Sequence, residues 1–366
     1  MNPNDTIPLV ELTRGGLVES RHAGALAVVD AAGNLLAAAG NPHTVAYLRS
    51  SAKPFQALPT VSLGALDHFG LGEAELAVMC ASHHGTAEHV AAVQRILDAL
   101  GLDPTALRCG VHWPISEAAT RALAAAGGAP DTRHNNCSGK HAGMLTLARY
   151  LHAESADYTL PEHPVQQAIL HQLSELTGLP SERIHQAPDG CTVPAFAIPL
   201  ARAALAYARL IQPTAPDAQR RVVQAMTTYP HLVSDHDALD DQLMRAGQGT
   251  IVCKGGAEGY QGLGVWTPDG RAVGLALKIA DGNARGKGPV LVQVLETLGL
   301  VDAATLARLE PLRCPPITNR RGQVVGEMRP AFTLQRFSPP SLLASCLVNR
   351  DSRSSHAHVR TASGDA

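Results

Sequence analysis

A short segment near the middle of the chain brings a thiol, an amine and an imidazole together. Residues 135–143 include Cys137, Lys140 and His141. Cys137 and Lys140 are three positions apart, so their side chains point the same way on a helical turn, and a cysteine with a second ligand at this spacing is typical of zinc sites. Cys191 could add a second thiolate. His141 is a more conventional third ligand than Lys140, because an amine must lose its proton before it binds a metal.

A Ser-x-x-Lys pair, Ser50 and Lys53, offers a nucleophile with a base. Serine is a poor nucleophile until a base removes its proton, and a lysine can be that base when burial or a neighbouring cation lowers its pKa. Pro54 disfavours helical geometry at Lys53, so we expect the pair in a tight turn just before a helix. The spacing alone also suits a helix N-cap with a solvated lysine.

Two further segments supply a second serine and a second lysine. Ser82 lies with two histidines in the loop 80–85, and Lys254 leads into the glycine-rich stretch 255–259, whose backbone N–H groups could face an oxyanion. Taken singly, Ser82 is better explained as a loop hydroxyl bonded to its own backbone, and Lys254 as a surface amine. Together with the first pair they favour nucleophilic catalysis.

Composition favours a globular protein that acts on a small molecule. The chain has 366 residues, is 45% hydrophobic and carries a net charge of −2, which gives no electrostatic reason to expect nucleic acid or an anionic membrane as a partner. Seven scattered cysteines suit reduced thiols better than a disulfide framework. The polar N-terminus and the lack of a long apolar run add to the expectation of a cytoplasmic protein.

Hydrophobic periodicity predicts an α/β fold, with an antiparallel sheet built from both chain ends and a helical middle region. Residues 24–40 have the pattern of a hairpin, and strands over 262–267 and 272–279 form a second one around a Pro-Asp-Gly turn. Apolar residues at three-to-four spacing predict helices over 54–67, 73–79, 86–100, 116–126, 140–154, 163–177, 195–211, 217–228, 238–246 and 284–298.

Taken in order, the polar motifs resemble those of the Rhizobium-type L-asparaginases. The resemblance covers residues 8–334 and implies a fold similar to serine β-lactamases and glutaminases. The motifs are Arg49-Ser-Ser-Ala-Lys-Pro, Ala81-Ser-His-His-Gly, Asn136-Cys-Ser-Gly-Lys-His-Ala-Gly-Met, Asp189-Gly-Cys, Lys254-Gly-Gly-Ala-Glu-Gly, Leu277-Lys-Ile-Ala-Asp-Gly and Arg329-Pro-Ala-Phe.

By this resemblance the two Ser–Lys pairs are catalytic. Ser50 is the implied nucleophile with Lys53 as its base, and Ser82 with Lys254 forms an adjacent pair. Ser50 would attack the side-chain amide of L-asparagine, backbone N–H groups would stabilise the oxyanion, and water would release L-aspartate from the acyl-enzyme.

The resemblance also implies a zinc ion bound by Cys137, Lys140 and Cys191, with water completing a tetrahedral sphere. Lys140 thereby replaces His141 as the expected third ligand. Because a Ser–Lys site already supplies a nucleophile, we expect the metal to shape the substrate pocket rather than to activate water.

Four residues are the expected contacts of a zwitterionic substrate. Arg49 and His141 are candidates for its α-carboxylate, and Glu258 lies in the glycine-rich segment. By the resemblance, Asp189 matches an acidic residue beside the metal, which suits the substrate's α-ammonium group or would orient Lys140. The segment 234–239 departs from the family, where a Gly-rich, Arg-containing turn is usual. If this loop touches the pocket, it will affect substrate preference.

The resemblance gives one domain over 8–334, followed by a tail over 335–366. The tail is rich in serine, arginine and histidine without periodicity, which is typical of disorder, and its apolar stretch 342–348 is the one part that could dock. We expect the protein to be a homodimer.

Two other functions fit part of the pattern. A penicillin-binding or β-lactamase-like hydrolase also needs Ser-x-x-Lys and a downstream Lys-Gly-Gly, but here Ser82-His83-His84 replaces its Ser-x-Asn, and thiols have no role in it. A non-catalytic, zinc-dependent amino-acid-binding protein would use Ser50 and Lys53 only structurally.

Overall fold

The computed structural model describes residues 3–337, which form a mixed α/β fold. The strands are β1 (Ile7–Arg14), β2 (Leu17–Asp30), β3 (Leu35–Ala39), β4 (Val45–Tyr47), β5 (His185–Pro188), β6 (Pro194–Pro199), β7 (Ile251–Gly256), β8 (Tyr260–Trp266), β9 (Ala272–Ile279), β10 (Pro316–Thr318), β11 (Val324–Pro330) and β12 (Gln335–Arg336).

Helices fill most of the chain between β4 and β7, and two more follow β9. They are α1 (Lys53–Ser62), α2 (Ala65–His68), α3 (Glu73–Met79), α4 (Ala87–Leu100), α5 (Glu117–Ala125), α6 (Ser138–Tyr150), α7 (Pro164–Thr177), α8 (Leu200–Ile211), α9 (Asp217–Thr228), α10 (Pro230–Val233), α11 (Leu239–Gly247), α12 (Lys287–Thr297) and α13 (Ala303–Arg313). None of these helices combines the length and hydrophobicity needed to cross a bilayer.

A nine-stranded antiparallel sheet joins the two ends of the chain. Its order is β10-β11-β1-β2-β9-β8-β7, and β3 pairs with both β2 and β12. The predicted sheet from both chain ends is therefore confirmed. A separate sheet of β4, β6 and β5 interrupts the helical middle region. The sequence analysis did not predict this second sheet.

Both predicted hairpins are present. In the first, the Asp30 carboxylate accepts hydrogen bonds from the N–H groups of Ala32 and Asn34 over 3.0 and 2.8 Å. Gly33 completes the turn with φ of 95°, a left-handed conformation that glycine adopts without strain. Strands β8 and β9 form the second hairpin. Their pairing runs without a shift from Tyr260 opposite Lys278 to Trp266 opposite Ala272.

The predicted helix over 195–211 is wrong in its first part, because residues 194–199 form β6. Pro194 and Pro199 bound this strand, and a proline inside a helix would remove a hydrogen bond and clash with the preceding turn. The helix begins only at Leu200. A local apolar pattern does not distinguish a buried strand from the start of a buried helix.

Helix α8 links the sheet to the helical region by packing on β2, β8 and β9 as well as on α7 and α9. The contact is unusually close. A Cβ on Gly274 of β9 would lie 1.8 Å from the carbonyl oxygen of Ala204, and a Cβ on Gly262 of β8 would lie 2.0 Å from the Tyr207 ring. Only glycine fits at these two positions, which seats Tyr207 beneath the site described below.

The ordered chain extends past the predicted domain boundary at 334. Strand β12 pairs with β3, and the N–H of Phe337 donates to the carbonyl oxygen of Leu36 over 2.9 Å. The first residues of the predicted tail thus belong to the sheet. The rest of that tail, with its apolar stretch 342–348, lies outside the described residues.

Candidate active site

The predicted Ser-x-x-Lys pair lies in a tight turn that leads directly into α1. The turn is the 3₁₀ helix Arg49–Ala52, and Lys53 is the first residue of α1. Tyr207 fixes one side of it by donating a hydrogen bond to the Ser51 carbonyl oxygen over 2.7 Å. On another side, a Cβ on Gly256 would lie 2.4 Å from the carbonyl oxygen of the residue before the turn. The predicted turn is confirmed for Ser50, but Lys53 has helical geometry, with φ of −59° and ψ of −38°, so the expectation that Pro54 keeps it out of the helix is wrong. Close packing holds the backbone of the turn in place.

The amine of Lys53 contacts Ser82 rather than Ser50. Its Nζ donates to Oγ of Ser82 over 3.0 Å and to the carbonyl oxygens of Ala81 and Asn136 over 2.6 and 3.2 Å. No hydrogen bond to Ser50 is found for this amine within residues 3–337. The side chain is 1% exposed, and burial lowers the pKa of Lys53 to about 8. A lysine in this state can accept a proton near neutral pH.

A cleft of about 410 Å³ opens beside the turn. Ser50, Ser82 and Lys254 all line it, and Lys53 lies directly behind Ser82. The fold therefore places both predicted Ser–Lys pairs around one space that is large enough for an amino acid. A larger groove of about 700 Å³ between α4 and α5 is mostly apolar and contains none of the predicted site residues.

A buried charge network that the sequence analysis did not identify forms one side of the cleft. Asp240 accepts hydrogen bonds from Lys254 Nζ and the Gly255 N–H, each over 2.9 Å, and from Gln261 Nε2 over 2.8 Å. Gln261 Oε1 accepts in turn from Lys287 Nζ over 3.0 Å. Burial would raise the pKa of Asp240, but the cationic Lys254 and Lys287 outweigh burial and hold it well below its usual range.

The first N–H group of the glycine-rich segment after Lys254 does not face the cleft as an oxyanion donor, which the sequence had suggested. The Gly255 N–H donates to Asp240, so it is not free to bind an oxyanion. A Cβ at this position would lie 3.0 Å from Nζ of Lys287. The absence of a side chain at Gly255 therefore lets the lysine approach the backbone closely.

Cys137, Lys140 and Cys191 meet in a buried cluster next to the Ser–Lys site. Cys137 immediately precedes α6 and Lys140 lies in its first turn, as the spacing predicted. Lys140 Nζ donates to Cys191 Sγ over 2.8 Å, and each of the three residues is less than a tenth exposed. A hydrogen bond from Cys191 outweighs burial and, with the cationic Lys53 and Lys140, holds the pKa of Cys137 well below its usual range.

This cluster offers two sulfur donors and one nitrogen donor. Such a set suits zinc once the amine is deprotonated. Among residues 3–337, no group of three or more histidine, cysteine, aspartate or glutamate side chains could hold a metal ion. A zinc ion at this position would therefore depend on Lys140 as its third protein ligand.

Arg49 and Asp189, two of the predicted substrate contacts, form an ion pair. Arg49 Nη2 lies 2.8 Å from Oδ1 of Asp189, which also accepts from the Gly190 N–H over 2.7 Å. Burial would raise the pKa of Asp189, but cationic Lys140 and Arg49 outweigh burial and lower it. Asp189 is thus an ionised carboxylate whose present partner is Arg49.

None of the four predicted substrate contacts is among the residues that line the cleft. His141 is fully buried, and its Nδ1 lies 2.7 Å from the Tyr158 hydroxyl oxygen. Burial lowers the pKa of His141 well below its usual value, so the imidazole is neutral. Glu258 is exposed in the turn between β7 and β8, with φ of 59°.

The segment that departs from the family pattern does border the cleft. Ser234, Ala238 and Leu239 line it. The Ser234 hydroxyl is buried and has no hydrogen-bond partner among the residues described. Beside it, His84 also lines the cleft and pairs with Asp235, with 3.3 Å between Nδ1 and Oδ2.

A comparison against protein families matches most of this chain to one family. The sequence pattern of the L-asparaginase II family matches residues 10–330. The chain belongs to the L-asparaginase II family. That membership supports an amidohydrolase activity.

This L-asparaginase II family member has no significant match among curated proteins. Among solved structures it is similar to Mglu in its glutamate form, with 18% identity, a TM-score of 0.41 and coverage of 76% of this chain and 61% of that one. Mglu in its native form gives 16% identity, a TM-score of 0.41 and coverage of 76% and 65%. The chain thus spans less than two thirds of the length of these proteins.

Sequence reasoning about this family member missed Asp240, Gln261 and Lys287. Asp240 stands at the start of a helix, where an acidic residue is common because it complements the helix dipole. Lys287 likewise gives no local pattern. The one available signal was Gln261, a polar side chain inside an otherwise apolar strand that is fully buried in the structure.

Proposed function

We propose that the protein is an L-asparagine amidohydrolase that releases L-aspartate and ammonia through a Ser–Lys mechanism. The observation that carries this proposal is the buried Lys53 amine, which is hydrogen-bonded to Ser82 in a cleft that Ser50 also lines. Family membership supports the amidohydrolase class. The sheet from both chain ends with a helical region between them supports the proposed likeness to serine β-lactamases and glutaminases.

In the proposed mechanism Ser50 attacks the side-chain amide carbon. In the reacting form Lys53 is neutral and the Ser82 hydroxyl donates to its Nζ, the reverse of the bond described above. The Ser50 proton then passes through Ser82 to Lys53, and a tetrahedral oxyanion forms. The C–N bond then breaks, and the proton on Lys53 passes to the leaving nitrogen to give ammonia. Lys254, held by Asp240, supplies positive charge on the same cleft.

Water completes the cycle. Lys53 removes a proton from a water molecule that attacks the Ser50 ester, and the ester bond breaks as the proton returns to the serine oxygen. The net reaction converts the amide and one water into a carboxylic acid and ammonia, which exchange a proton to give a carboxylate and an ammonium ion. Each proton that Lys53 accepts is given back within the same half-reaction, so the enzyme returns to its starting state.

Zinc is part of the proposal, with Cys137, Lys140 and Cys191 as the residues that would hold it. When bound, it would supply a fixed positive charge and a rigid link between α6 and the segment after β5. Asp189 would bind the substrate's α-ammonium group alongside Arg49, because its carboxylate is ionised and Arg49 and the Gly190 N–H both contact Oδ1, which leaves Oδ2 for a second cation. His141, beneath this cluster, would position its neighbours rather than touch substrate. Glu258 stays a predicted contact, and a cytoplasmic homodimer stays our expectation.

Ammonia release from L-asparagine, L-glutamine and simple amides by purified protein tests the function. We expect L-asparagine to be hydrolysed fastest, and Ser50→Ala to be inactive in the same assay. Hydrolysis of a chromogenic cephalosporin without ammonia release would favour the β-lactamase-like alternative. Tight asparagine binding without turnover in metal-replete protein would favour an amino-acid-binding protein.

A further inference from the structure

The charged side chains that line the cleft are unequal in number. Among the residues described, two lysines, Lys254 and Lys287, face one carboxylate, Asp240. Asp240 binds Lys254 directly but reaches Lys287 only through Gln261. A buried cation without a carboxylate of its own is costly. The cleft therefore favours a ligand that brings a negative charge.

Lys287 has capacity to bind such a ligand. Its ammonium group has three donors, and the structure provides Gln261 Oε1 at 3.0 Å and the Tyr260 carbonyl oxygen only at 3.5 Å. Burial lowers the pKa of Lys287, and an anion placed against the amine would oppose this effect by stabilising its charged form. Gly255, with no side chain to cover Nζ, leaves the amine close to the open space.

The segment before Lys287 is held firmly. His22 Nδ1 lies 2.6 Å from Oδ2 of Asp281, and Arg285 Nε donates to Nε2 of the same imidazole over 2.7 Å. These bonds tie the loop before α12 to β2. Lys287, as the first residue of α12, is therefore presented from a fixed backbone.

The two residues predicted to bind the substrate's α-carboxylate, Arg49 and His141, already have other partners in the protein. Arg49 is paired with Asp189, and His141 is neutral and buried against Tyr158. A second observation also points to a polar ligand in the cleft: the buried Ser234 hydroxyl has no hydrogen-bond partner in the described part of the chain.

We propose that Lys287 is a specificity-determining residue that binds the α-carboxylate of the amide substrate. This inference rests on the proposed asparaginase function and deepens it. The charge-assisted bond would hold the carboxylate while the side-chain amide lies between the two serines. Lys287 then selects amino-acid amides over amides that lack a carboxylate.

The test compares L-asparagine with 3-aminopropanamide, which is asparagine without its carboxylate. For Lys287→Met we expect KM for L-asparagine to rise about 10- to 100-fold, with kcat nearly unchanged. For 3-aminopropanamide, kcat/KM should not change. Lys287→Arg should restore much of the affinity. Arg308→Met, on α13 and outside the cleft, is the control and should match wild type with both amides.

Product binding provides a readout that does not need turnover. Calorimetry should give weaker L-aspartate binding to Lys287→Met than to wild type, and thermal melts should show that both are folded. An unchanged KM and unchanged L-aspartate affinity in this variant would overturn the inference, as would equal losses with both amides. A wild type that binds L-aspartate but releases no ammonia from L-asparagine would instead refute the proposed function alone.

Discussion

Lys53 donates a hydrogen bond to Ser82 over 3.0 Å, although the serine three positions before it in the sequence is Ser50. The lysine is thus bonded to the serine on the loop after α3 and not to the serine on its own turn. The bond makes Ser82 the natural relay between Lys53 and the nucleophile, and it makes both serines necessary in the proposed mechanism.

We predict that Ser50→Ala and Ser82→Ala each lower kcat by about a thousandfold or more, because each removes one member of a unit that acts together. Ammonia release measures this. Ser51→Ala is the matched control: its buried hydroxyl faces Tyr207 at 3.0 Å, so the variant should lose stability but keep most activity. Near-normal turnover in Ser50→Ala would exclude it as the nucleophile.

Activity should rise with pH. Because burial lowers the pKa of Lys53 to about 8, the amine is protonated and unable to accept a proton in mildly acidic solution, and becomes a base as the pH passes 8. We expect kcat/KM for L-asparagine to increase through an apparent pKa near this value. For Lys53→Ala, kcat/KM should be low at every pH and should show no increase near pH 8. A wild-type profile that falls over the same range would contradict the role of Lys53 as base.

Asp240→Asn should destabilise the protein by roughly 3–5 kcal/mol, because it leaves Lys254 and Lys287 buried without a carboxylate. The folded-state pKa of Asp240 lies below its unfolded value, so its contribution is present at neutral pH and is lost as the pH falls below about 4. Urea unfolding at pH 7 and in acid measures both effects. Asp269→Asn, on an exposed ion pair with Arg271, is the control and should change little.

We expect about one zinc per chain in protein purified without chelator. Cys137→Ser and Cys191→Ser should each lose most of it, whereas Cys314→Ser, which alters an exposed thiol, should keep it. Affinity should fall as the pH drops, because the thiols and Lys140 must release protons to bind the metal. Elemental analysis and metal titration at two pH values check this. Wild-type zinc content in both cysteine variants would place the metal elsewhere.

Two truncated chains that end only three residues apart should differ in stability. A chain ending at Leu334 loses β12, its pairing with β3 and the Phe337 hydrogen bond to Leu36, which together are worth about 1–3 kcal/mol. A chain ending at Phe337 keeps these contacts. We therefore expect a lower melting temperature for the shorter chain than for the longer one, and equal melting temperatures would show that β12 adds nothing.

The sequence by itself determined the features that depend on neighbouring residues. The turn at Ser50, the hairpin at Gly33 and the first turn of α6 with Cys137 and Lys140 follow from short spacings and turn-forming residues. The ordered series of motifs determined the family. In each case the physical cause is local. Backbone preferences act on neighbouring residues, and residues three or four apart share one face of a helix, so both effects operate within one or two turns.

Only the tertiary structure decided which distant groups meet. Lys53 reaches Ser82, and Asp240 joins Lys254 to Lys287, because segments far apart in the chain pack around one cleft. Burial made His141 neutral and removed it from the cleft lining. Such outcomes depend on long-range packing and on the desolvation of each charge, and no local pattern in the sequence encodes either.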